Sequence, residues 1–118
     1  MAFYRDVLGC NVERELPPDV GLIQLRAGNS LIDIVAVESE IGRMGGAPPG
    51  NEGRNMDHFC LRLEIFDEAA IRDHLAQHDV PAGEVQSRYG AEGNGPSLYI
   101  SDPDGNTVEL KGPPDQVA

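Results

Sequence analysis

Three residues of types that share chemistry, Asp33, His58 and Glu109, occupy stretches of strand-forming sequence. Two of them are acids held between aliphatic neighbours, as Ile32-Asp33-Ile34 and Val108-Glu109-Leu110, and the third lies in the alternating run "NMDHFCLRLE", residues 55–64. A carboxylate inside a sheet is costly unless something compensates its charge. A divalent cation would do so, and a set of imidazole and carboxylates suits Zn²⁺, Ni²⁺, Mn²⁺ or Fe²⁺ better than a soft, thiolate-bound metal. That chemistry requires three strands, distant in the chain, to converge.

Alternation along each strand says which side chains can share a surface. Thr107, Glu109 and Lys111 point one way, with Val108 and Leu110 on the reverse. Asp33 shares its side with Leu31 and Val35, while Ile32 and Ile34 oppose it. In residues 55–64, His58, Cys60 and Arg62 oppose Asp57, Phe59, Leu61 and Leu63. The apolar sides suit packing under helices, and the sides bearing Asp33, His58 and Glu109 then line a more polar surface.

The connector "GGAPPGNEGRN", residues 45–55, is too rich in Gly and Pro to continue a helix or a central strand. It separates residues 1–44 from residues 56–118. The later part reads β-α-β-β-β. Its strand at 55–64 is followed by a helix over 66–80, with Asp67 as N-cap and Ala70, Ile71 and Leu75 as the apolar face. Strands come next near 83–89 and within "PSLYISDPDGNTVELKG", residues 96–112. The earlier part repeats this order: "FYRDVLG" predicts a helix, and "GLIQLRAGNSLIDIVAV", residues 21–37, predicts strand, turn and strand. Tyr4 to Leu8 match Ile71 to Leu75, and Ile32-Asp33-Ile34 matches Val108-Glu109-Leu110, so both halves place an acid at one position of the repeat. The counterpart of the His58 strand falls before Met1, and the first module is therefore expected without its opening strand.

With 118 residues the chain is long enough for one domain with a real core. Twenty acids against nine bases leave a net charge of −11, which repels phosphate backbones and anionic lipid, so neither nucleic acid nor membrane is an expected partner. No apolar run approaches the roughly 18 residues of a membrane span. The N-terminus lacks the basic-then-apolar order of a signal peptide. Cys10 and Cys60 form no CxxC pair and read as reduced residues of a cytoplasmic protein.

The stretches "AFYRDVLG", "MDHFCLRLE" and "SLYISDPDGNTVEL" closely resemble the vicinal oxygen chelate superfamily, which includes glyoxalase I, methylmalonyl-CoA epimerase, extradiol dioxygenases, fosfomycin-resistance proteins and bleomycin-resistance proteins. The resemblance runs to about Lys111. It implies an α+β fold of paired βαβββ modules forming a curved mixed sheet, with a divalent metal inside. By that resemblance His58 and Glu109 match metal ligands on the first and last strands of the second module. Asp33 takes the last-strand position of the first module, where relatives carry Glu or Gln. The family's fourth ligand, usually a His on the very first strand, has no counterpart.

The resemblance implies a glyoxalase-like, metal-dependent lyase or isomerase acting on a small oxygenated metabolite, with Glu109 as the proton-shuttling catalytic residue. Arg62 and Tyr99 are candidate substrate contacts, with ordinary packing or an ion pair as the alternative for each. Two alternatives stand beside it: a metal-free, drug-binding protein of the bleomycin-resistance type, and an extradiol-type dioxygenase, which needs a second His. A homodimer is expected, because a sheet lacking one strand exposes an edge. Of the remaining features, His74 and His78 read as a solvated helix face, Cys60 as a small filler, residues 88–97 as a lid or plain hairpin, and "DPDG" as a turn.

Overall fold

A computed structural model describes residues 1–115 and divides the chain into two compact units, Met1–Arg54 and Asn55–Ala118. The first opens with a π-helical turn, Phe3–Val7, in which the Leu8 N–H donates to the Phe3 carbonyl at 3.1 Å. The helix expected over residues 3–9 is thus a single wide turn, and Gly9, at φ 71°, turns the chain out of it. Three antiparallel strands follow, β1 (Asn11–Glu15), β2 (Leu22–Ala27) and β3 (Ser30–Val35), in the spatial order β1-β2-β3.

In the β2–β3 ladder Ile23 faces Ile34, Leu25 faces Ile32, and Gln24 faces Asp33. One side of this sheet is therefore aliphatic, with Leu25 fully buried, and the other carries Asp33 among Gln24 and Arg26. Two elements had no clear sequence signal. Every residue of β1 is exposed, so its sequence "NVERE" shows no apolar alternation. The helix α1 (Glu40–Met44) is only five residues long and depends on the Ser39 hydroxyl, which accepts from the Gly42 N–H at 3.1 Å.

The second unit runs β4 (His58–Arg62), α2 (Glu68–Gln77), β5 (Gln86–Gly90), β6 (Gly93–Ser101) and β7 (Thr107–Lys111). Its sheet has the order β4-β7-β6-β5, with β4 parallel to β7 and the other neighbours antiparallel. Asp67 caps α2 by accepting from the Ala70 N–H at 3.1 Å, and the helix stops before Asp79, which takes a positive φ of 57°. The apolar side of β6 and β7 forms the core: Leu98, Ile100, Val108 and Leu110 are all buried, as is Leu75 of α2.

Between β6 and β7 the buried Asp102 carboxylate accepts from the Asp104 N–H, the Asn106 N–H and the Asn106 side-chain amide, at 3.0, 2.8 and 2.8 Å. The "DPDG" stretch is a self-bonded turn, as its composition predicts.

This is the expected α+β fold, with one βαβββ module complete. Strands β1, β2 and β3 repeat the order of β5, β6 and β7. Among the described residues the first unit has no counterpart of β4, so nothing pairs with the outer edge of β3. No helix among the described residues is long and apolar enough to cross a membrane.

Candidate functional site

The parallel β4–β7 register sets His58 against Thr107, Cys60 against Glu109 and Arg62 against Lys111, and the β6–β7 register sets Tyr99 against Glu109. Alternation then collects His58, Cys60, Arg62, Tyr99, Glu109 and Lys111 on the side of the sheet opposite the aliphatic core. His58 Nε2 lies 3.1 Å from Glu109 Oε1, so two of the three residues singled out from sequence meet across 51 positions of chain. Glu109 is 6% exposed, and its second oxygen, Oε2, is buried without a hydrogen-bond partner. An acceptor in that condition is costly, and a bound cation is one way to satisfy it.

The other nitrogen of the imidazole, Nδ1, lies 2.7 Å from the Asp57 carboxylate. Asp57 holds the ring's orientation and, with Glu109, draws the His58 pKa above its ordinary value against the opposing effect of burial. Strand parity puts Asp57 on the reverse side from His58, but β4 begins only at His58, so Asp57 escapes the alternation. Simple adjacency to a candidate ligand was the signal available for it.

Tyr99 stands edge-on to His58, with ring centroids 5.2 Å apart. On its other flank the Arg88 guanidinium lies 4.5 Å from the Tyr99 ring centroid. Arg88 Nη1 donates to the Ser97 carbonyl at 2.6 Å and to the Ser97 hydroxyl at 2.8 Å. Sequence reasoning missed Arg88 because its place opposite Gly95 depends on the β5–β6 register, which a glycine-rich stretch leaves open. Arg62, by contrast, is occupied. Its Nε and Nη2 bond the Glu92 carboxylate, at 2.9 and 3.4 Å, and its Nη1 bonds the Leu63 carbonyl at 3.0 Å.

Residues 88–97 form the β5–β6 hairpin, and that Arg62–Glu92 pair ties its tip to β4. Lys111 is buried, with its ammonium donating to the carbonyls of Arg88 and Gly95. Cys60 is exposed rather than packed, and His74 of α2 and His78, the C-cap that follows it, are exposed with ring centroids 4.8 Å apart.

Asp33 belongs to the first unit, where it is exposed and accepts from Gln24 Nε2 at 3.0 Å. Gln24 in turn accepts from Arg14 Nε at 2.9 Å, a polar row crossing all three strands. The described residues contain no group of three or more His, Cys, Asp or Glu placed to hold a metal ion. His58 and Glu109 could hold a divalent cation only as two ligands of a larger set.

A profile of the glyoxalase/bleomycin resistance protein/dioxygenase superfamily matches residues 1–110. The chain belongs to that superfamily. Solved structures agree. An integron cassette protein from the mobile metagenome of V. cholerae is 26% identical, with a TM-score of 0.68 over 93% of this chain and 80% of that one. Lactoylglutathione lyase from Agrobacterium tumefaciens is 23% identical, with a TM-score of 0.62 over 94% and 81%. The fosfomycin resistance protein FosX from Listeria monocytogenes is 16% identical, with a TM-score of 0.62 over 94% and 78%. The last two likenesses speak for the fold. No curated protein matches the chain.

Proposed function

We propose that this superfamily member is a glyoxalase-like, metal-dependent lyase or isomerase acting on a small oxygenated metabolite, with His58 and Glu109 as metal ligands. The observation that carries the reading is the buried, unpartnered Oε2 of Glu109 beside His58 Nε2. When bound, a divalent cation supplies Lewis-acid polarisation of a substrate oxygen. The protein's own groups divide the remaining work. Asp57 accepts a hydrogen bond from the Nδ1–H of His58, a tautomer that would leave the Nε2 lone pair for ligation. Glu109 would be the group that takes a proton from, or returns it to, a substrate carbon next to a carbonyl. Tyr99 packs against the imidazole and limits the space around it.

Calorimetric titration of the metal-free protein with Zn²⁺, Ni²⁺, Mn²⁺ and Fe²⁺ tests this. Wild type should take up at least one of them stoichiometrically, and Glu109→Gln should weaken uptake by at least roughly tenfold, the scale of losing a group that supports a metal site. The same titration on Asp33→Asn decides whether that acid, assigned a ligand role from its place in the repeat, takes part.

A second reading is a metal-free binder of small molecules, favoured by the lack of a third ligand among the described residues. Wild type taking up no metal selects it. The dioxygenase alternative has less support, because His58 is the one histidine on a described strand.

A further inference from the structure

We infer that Arg88 is a specificity-determining residue of the same site, selecting substrates that carry a carboxylate or similar anion a few bonds away from the oxygens handled at His58 and Glu109. The inference rests on the reading above for the position of the reacting end, but its evidence is separate. Arg88 is half-buried, and its guanidinium is held at two points, by Nη1 on Ser97 and by its face on Tyr99. Ser97 is itself fully buried, so the anchor is rigid. Nε and Nη2 have no hydrogen-bond partner among the described residues, and Arg88 forms no ion pair with any described carboxylate.

Acids outnumber bases by 20 to 9, and Arg5, Arg26, Arg62 and Arg72 each pair with a carboxylate. Arg14 and Arg43 form no ion pair among the described residues either, but both are exposed, whereas Arg88 is half-buried and anchored. A fixed guanidinium with two parallel donors free matches a carboxylate bidentately, and holding it in advance lowers the ordering cost of binding. The buried Lys111 ammonium bonds the Arg88 backbone carbonyl and adds positive charge on the same side of the sheet. Tyr99 sets the spacing. Its ring stands between the imidazole, 5.2 Å away, and the guanidinium, 4.5 Å away, so a short chain laid along it reaches both ends.

Two probes separate the ends. 2-Oxoglutarate carries a 2-oxo acid and a distal carboxylate, and 2-oxopentanoate carries the 2-oxo acid alone at similar length. Affinities are measured by calorimetry on the full chain, with and without Mn²⁺. Wild type should prefer 2-oxoglutarate by roughly tenfold or more, the range of a charge-assisted hydrogen-bonded pair. Arg88→Met should reduce that preference to within about twofold, chiefly by weakening the binding of 2-oxoglutarate. Arg88→Lys, which keeps the charge without the fork, should give an intermediate preference and guards against a folding defect in the first variant.

Equal affinity of the two probes for wild type, no binding of 2-oxoglutarate in the millimolar range, or a preference that survives Arg88→Met overturns the inference. The two proposals fail differently. Indifference of both probes to Mn²⁺, with the Arg88-dependent preference intact, removes the metal reading alone. Strengthening of both by Mn²⁺ without a preference removes this one alone.

Discussion

His58 holds two carboxylates at once, Asp57 at 2.7 Å and Glu109 at 3.1 Å, and its charged form gains from both. In the metal-free protein its midpoint, followed by the imidazole NMR signals, should lie above the ordinary value of about 6.5 and fall in Asp57→Asn. Because the folded value is raised, this stabilisation is complete below the unfolded-state pKa and is lost as pH rises through the folded midpoint. A cation competes with the proton at Nε2, so metal uptake should weaken on acidification through the same range. Lys111 belongs to this scale too. Replacing it with Met leaves the carbonyls of Arg88 and Gly95 without their donor, and should cost about 1–3 kcal/mol in urea denaturation. Residue type and parity put His58 and Glu109 on polar strand sides, the family resemblance implied that they meet, and they lie 3.1 Å apart. The place of Arg88 was not anticipated, and the choice between substrate contact and ion pair for Arg62 stayed open, because both depend on which partner a long side chain reaches.

Among the elements, those with a periodic apolar signal were legible and those without one were not. The helix α2 has an N-cap Asp67 and a buried Leu75, and β7 alternates between Val108, Leu110 and their polar neighbours. β1 has neither kind of signal, and the first helix shrinks to a π-helical turn because only Phe3 and Tyr4 within it are buried. The β5–β6 hairpin had a glycine-rich sequence compatible with a mobile lid, yet its backbone is closely confined. A Cβ on Gly95 would come within 2.7 Å of the Pro113 carbonyl oxygen, which belongs to backbone and cannot swing aside. Gly95→Ala should therefore destabilise the fold by roughly 1–3 kcal/mol, read as a lower thermal midpoint, and should disturb the Arg88 position opposite it.

On the scale of the whole molecule, the repeat was readable from two short matches, Tyr4–Leu8 with Ile71–Leu75 and Asp33 with Glu109 in their aliphatic frames. Among the described residues the first unit's sheet has three strands where the second's has four. An open strand edge favours association, and light scattering at micromolar concentration should report a homodimer. A strictly monomeric species would remove that expectation. The two equivalent last strands thus live under different constraint. Among the described residues β7 is bonded on both flanks, by β4 and β6, while β3 is bonded on one. Deuterium should accordingly enter the amides of β3 long before those of β7, so Glu109 rides on a strand that opens only with its whole module and Asp33 on one that can fray alone.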